Sequence, residues 1–160
     1  MIFRRGERPQ ASFIFKHALV QDAAYGTLLR GRRQELHAGI ARVLEEQAAL
    51  SQTGPRSRPG EASRGERAGL LAHHWLRAEQ WEKALDCTLE AADRAEKLLS
   101  RPEAISHYWQ ALELIERLPR TEELSRIQCK IILTAVWLPG WLSNEGSEAR
   151  FFRYVDEALA

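Results

Sequence analysis

The chain is short of the groups that most enzyme chemistry needs. It has only two cysteines among its 160 residues. Cys87 and Cys129 lie far apart and outside any metal-ligand spacing, so they read as small core residues of a reduced, cytoplasmic protein. No apolar run approaches the length of a membrane span. The opening MIFRRGERPQ carries arginines but no apolar signal-peptide core. There is no G-x-x-x-x-G-K-[ST] stretch to cradle nucleotide phosphates, and no acidic Mg²⁺ site follows a strand. No G-x-S-x-G and no Cys–His–Asp grouping points to a nucleophile. His73 and His74 are adjacent, so on a helix they project about 100° apart and do not share a metal. The expectation is a protein that is not an enzyme, with no metal and no cofactor.

Charge of either sign is not in excess overall, since the formal net charge is +1. It is unevenly spread. Residues Met1 to Arg67 hold 12 Lys/Arg against 7 Asp/Glu, a balance of +5, and Ala68 to Ala160 hold 11 against 15, a balance of −4. An arginine-rich first half could meet an acidic partner or nucleic acid. The other reading is two solvated surfaces facing each other. Arg30, Arg32 and Arg33 could hold DNA phosphates, but no interleaved aromatics offer a stacking surface, and nucleic acid is not the expected partner.

What is present is helical periodicity. Phe13 and Phe15 alternate as in one short strand, and the period changes at His17. Ala18, Leu19, Ala23, Leu28 and Leu29 fit a helix face, with Gly31 as its stop. Leu36, Ile40, Val43 and Leu44 recur at helical spacing and predict an amphipathic helix over Arg32–Leu50. Ser51 to Ala62 has no apolar period and is rich in Ser, Gly, Pro and Arg, as a flexible linker would be. Further helices follow. One starts at a Ser63/Glu66 capping box and runs to about Ala78. The next spans Trp81 to about Leu99. A third starts at a Ser100/Glu103 box with Pro102 in its first turn and ends before Pro119. Another begins after Thr121, and a last one opens within EARFFRYVDEALA. Three regions result: 1–50, the linker 51–62, and the helical array 63–160.

Two of these helices share a pattern. WEKALDCTLEA and RPEAISHYWQA each place two alanines seven apart, Ala84 and Ala91, then Ala104 and Ala111. Small residues there let helices approach closely, and Trp75, Trp81, Tyr108 and Trp109 are bulky partners for the gaps. The pattern resembles the tetratricopeptide repeat (TPR). The two alanine pairs lie 20 residues apart, whereas that family repeats about every 34. A plain helical bundle is the alternative.

The stretch FKHALVQDAAYGTLLRGRRQELHAGIARVLEE is more specific. Phe15, Lys16, His17, Ala18, Leu19, Tyr25, Leu29, Arg33, Leu36 and His37 resemble a segment of large bacterial signalling ATPases of the STAND class. Many of these are fused to adenylate or guanylate cyclase domains, and relatives are LuxR-type transcriptional regulators. The resemblance implies an all-α chain: the end of a winged helix in residues 1–50, then TPR-like helical hairpins, as a fragment of a longer protein. It implies a non-catalytic regulatory and interaction role, with an unidentified protein or the parent's ATPase and cyclase domains as partner. The alternative is a fragment of a transcriptional regulator with a DNA-related role. It also implies that His17, with Lys16 beside it, could sense the phosphate of a nucleotide bound elsewhere in the full-length parent. A structural histidine bonded to the backbone is the other reading of His17.

Overall fold

The computed structural model describes residues 2–5, 12–15, 18–53, 61–137 and 147–159. The chain begins with a hairpin of two antiparallel strands, β1 (Ile2–Arg5) and β2 (Ser12–Phe15), in a register that sets Ile2 against Phe15 and Arg5 against Ser12. Seven helices follow among the described residues: α1 (Ala18–Thr27), α2 (Arg30–Thr53), α3 (Glu61–Arg77), α4 (Trp81–Lys97), α5 (Arg101–Ile115), α6 (Glu122–Trp137) and α7 (Ser147–Leu159). Helix dominates the described residues. The departure from an all-α chain is the hairpin, where one strand was expected and two pair. Apolar Ile2 and Phe3 are too few to announce β1 alone; pairing with β2 supplies the hydrogen bonds that stabilise it.

Other boundaries move for local reasons. Gly31 does not stop α1. The break falls at Leu28 and Leu29, and the Leu28 amide closes a turn onto the Tyr25 carbonyl at 3.2 Å. Ser63 lies inside α3, which starts two residues earlier, so it is not a cap there. Ser100 does occupy the N-cap position of α5, but its side chain makes no capping bond. Thr121 does cap: its hydroxyl accepts the Leu124 amide at 3.2 Å ahead of two first-turn glutamates. Ser51–Thr53 continue α2, and Glu61 and Ala62 open α3.

Helices α3, α4 and α5 form the centre, with α4 packed between the other two. The same turn links each pair. After α3, the amides of Ala78, Glu79 and Gln80 bond to the carbonyls of His74, Leu76 and Trp75. After α4, the amides of Leu98, Leu99 and Ser100 bond to those of Arg94, Glu96 and Ala95. Each bond recurs 20 residues on. Both turns are Schellman caps, and the residue at the left-handed position, usually Gly, is Glu79 or Leu99, each at φ 58°. Burial repeats with the same step: residues 68–77 and 88–97 follow one identical sequence of buried, half-buried and exposed positions.

This step explains the alanine spacing. Ala84 and Ala91 lie on α4, and Ala104 and Ala111 on α5. They are matching positions of consecutive helices in a hairpin stack, not of one helix in successive two-helix repeats. A full two-helix step, Glu61 to Arg101, is 40 residues, longer than the TPR period of about 34. All four alanines are buried. The core around them includes Ala41, Leu71, Trp75, Leu85, Ala92, Ala95, Tyr108, Leu112, Leu114, Ile131 and Tyr154. α7 joins through Gln128 of α6, whose side-chain amide donates to the Tyr154 carbonyl at 3.3 Å, and through an Arg150–Glu113 pair at 2.6 Å.

Two outcomes check this packing. Ala104→Leu adds bulk to a fully buried seam and should destabilise the chain by about 1–3 kcal/mol. Glu103→Gln, exposed one residue away, should cost less than half of that; equal effects in thermal unfolding followed by circular dichroism would contradict the seam. Leu99→Gly should instead stabilise by up to about 1 kcal/mol, since Leu99 is 82% exposed at a left-handed position and a leucine there is strained.

Candidate functional site

Of the residues singled out in the sequence, Lys16 and His17 lie outside the described residues. The helical ones fall into two places. Trp75, Trp81, Ala84, Ala91, Ala104, Tyr108 and Ala111 belong to the stack. Trp75 is 1% exposed, donates through Nε1 to Glu45 of α2 at 3.0 Å and lies under Lys83 of α4, whose Nζ is 4.2 Å from the ring centre. Trp81 is half-buried under the Arg117 guanidinium. The buried Tyr108 hydroxyl is pushed well above its ordinary range by desolvation, with Glu96 and Asp93 adding to it. Cys87 is pushed up to about 11, by burial first and then by Glu45, Glu90 and Asp86, so its thiol is unreactive at neutral pH.

The second place was not foreseen. Helix α2 lies along α3, and where α1 meets them Tyr25, His37, His73 and His74 converge. The Tyr25 hydroxyl is 2.9 Å from His37 Nε2, and His37 Nδ1 is 2.8 Å from His74 Nδ1. The His73 ring stands 6.1 Å from that of His37 and 5.4 Å from that of His74. Arg33 sits 5.3 Å over the Tyr25 ring. Asp22, Leu28 and Arg77 join Tyr25, His37 and His73 around an open cleft of about 580 Å³. Both His37 and His74 titrate below the ordinary imidazole range, chiefly through burial. His73 and Arg77 repel the charged form of His37, and His37 and His73 repel that of His74. In the sequence Tyr25 and His37 stand out only through the resemblance, Arg33 through it and as a candidate phosphate contact, and the His73–His74 pair only as an unsuitable chelate. The adjacent histidines do diverge, but His37 reaches both from the neighbouring helix. No linear spacing announces that. Among the described residues no group of three metal donors is placed to hold an ion.

Two of the three arginines at the start of α2 form ion pairs within the chain. Arg30 pairs with Glu79 across the α2–α3 junction, its Nε donating at 2.9 Å, and this holds the Glu79 carboxyl below its usual range. Arg32 pairs with Glu35 at 2.9 Å.

Helix α2 turns a different face inward than its periodicity suggested. Ala41 is fully buried, with Ala38 and Leu44 against the core, while Leu36, Ile40 and Val43 are 42%, 45% and 50% exposed. The small side chains let α2 settle close to α3 and leave its larger apolar stripe outward. No helix among the described residues is long and apolar enough to cross a membrane. No known protein family, curated protein or solved structure matches the chain.

Trp75→Phe should cost about 1–3 kcal/mol in urea unfolding, from the lost hydrogen bond to Glu45 and the smaller ring. A neutral result would mean that α2 does not depend on this contact.

Proposed function

We propose that the chain is a non-catalytic regulatory and protein-interaction part of a bacterial ATPase-linked signalling protein of the STAND class, associated with a nucleotide cyclase. In this reading residues 1–50 close a winged helix, the helices from Leu70 onward begin a TPR-like array, and the working compartment is the cytoplasm. The observation that carries it is the outward stripe of α2. Leu36, Ile40 and Val43 lie one and two turns apart on one face, and exposed apolar patches of this kind mark interaction surfaces. The stripe falls within the segment that resembles the STAND proteins, so the occupant proposed for it is the parent's own nucleotide-binding and winged-helix region. The absence of a phosphate-binding loop in the sequence supports a role that reads a nucleotide state set elsewhere rather than one that turns nucleotide over.

Calorimetry with ADP and with ATP–Mg²⁺ tests the non-catalytic half: the chain alone should give no binding heat, and micromolar affinity would overturn the reading. The interaction half is tested with Ile40→Lys combined with Val43→Lys. Both positions are exposed, so the melting temperature should change by only a few degrees, while association with the parent's nucleotide-binding region should be lost. Unchanged association would remove the stripe from the interface.

A further inference from the structure

We propose that the contact between His37 and His74 is a proton-operated latch, which fastens α1 and the first turns of α2 to α3 while at most one of the two rings is charged and opens when both are.

The geometry sets the rule. Two imidazole nitrogens 2.8 Å apart hold one proton between them. Either ring can supply it, because the Tyr25 hydroxyl, 2.9 Å from the other nitrogen of His37, can donate or accept in response. A first added proton leaves both bonds intact: His37 then donates from Nε2 to the Tyr25 oxygen and from Nδ1 to His74. A second proton cannot be placed without setting two N–H groups against each other. The Nδ1···Nδ1 bond must break, and two like charges in contact must separate.

The surroundings favour opening over compensation. From α1 the cleft receives Tyr25 and Asp22, the single carboxylate among its described lining residues. From α2 comes Arg33, held over the Tyr25 ring. From α3 come His73 and Arg77. On α5, His107 lies against Gly69, one turn along α3 from His73, and is itself held below the ordinary imidazole range, mainly by burial. Around the pair itself, the third imidazole of His73 and the fixed guanidiniums of Arg33 and Arg77 thus outnumber the one lining carboxylate, Asp22.

The sign follows. Both rings resist protonation in the folded chain and accept it more freely once released. The contact is at full strength at neutral pH and above, and it weakens as pH falls below the ordinary imidazole value of about 6.5. The position on the fold determines what is freed. The Trp75–Glu45 bond and buried Ala41 hold α2 further along. Tyr25 ties α1 to the pair through His37. Arg30 keeps its pair with Glu79, so opening loosens α1 and the α2 turns around His37 while the α3–α5 stack stays packed. None of this depends on the nucleotide-signalling role.

Hydrogen exchange of the full 160-residue chain, at pH 7.5 and 5.5 with rates normalised for intrinsic chemistry, reads the latch directly. Peptides spanning residues 18–37 should lose protection by about fivefold or more at the lower pH, while α4 and α5 peptides hold theirs. In His74→Gln, which keeps a polar side chain but cannot charge, that selective loss should disappear. Equal protection of residues 18–37 at both pH values, a loss spread evenly over the chain, or an undiminished loss in His74→Gln would each overturn the proposal. Should that variant not fold, His37→Gln replaces it. Side-chain NMR titration of the unaltered protein decides independently: two separated protonation steps for His37 and His74 are expected, and a joint titration near pH 6.5 would sink the latch.

Discussion

Close approach of α4 to both its neighbours is the constraint on which the rest of the structure depends. Ala84, Ala91, Ala92 and Ala95 on α4 are matched by Ala104 and Ala111 on α5, and all are buried. A face of this kind gains little from the size of any one side chain. It gains from the number of contacts that form when two backbones come near, each small and collectively large. The bulky members then take fixed places: Trp75, Leu71 and Leu85 where α3 meets α4, Tyr108, Leu112 and Leu114 along α5. Thr88, fully buried in the same seam, satisfies its hydroxyl on the Ala84 carbonyl one turn back at 2.7 Å, so it adds no unpaired polar group.

Helix α2 is attached in a different manner. Its apolar contribution is small, through Ala38, Ala41 and Leu44, and polar contacts are spread along its length: Arg30 to Glu79, His37 to His74, Glu45 to Trp75. The central stack is held by burial, which responds weakly to pH. The arm laid on it is held in good part by ionisable groups. Within the arm, Arg30 and Arg32 pair with carboxylates of the chain itself.

The helices from Trp81 onward were legible because their periodicity is strong and their ends carry local signals: Trp81 itself, Pro102 in a first turn, Pro119 past an end, Thr121 as a cap. Where the sequence misled, the deciding interaction was not local. Leu36, Ile40 and Val43 form the better apolar stripe of α2, yet the alanine side was chosen because α3 can come close there. Gly31 looks like a stop, but Leu28 and Leu29 carry the break. Glu79 and Leu99 give no hint of a left-handed turn, since neither residue type favours one. The histidine cluster was illegible for the same reason: His37 and His74 are 37 residues apart, and only the laying of α2 along α3 brings their rings together.

The two identical turns, 20 residues apart, carry a consequence for how such a chain can change length. Each turn reverses the path and restores the same rotational phase of the following helix, so burial at 88–97 copies that at 68–77 position for position. Loss of one helix with its turn would keep that phase but send every later helix the opposite way, carrying the end of the chain to the other side of the stack. Loss or gain of two would preserve both direction and phase. An array that kept repeating this turn would therefore grow and shrink in steps of one helical hairpin, and an odd step would exchange which end of the molecule the following segment leaves from.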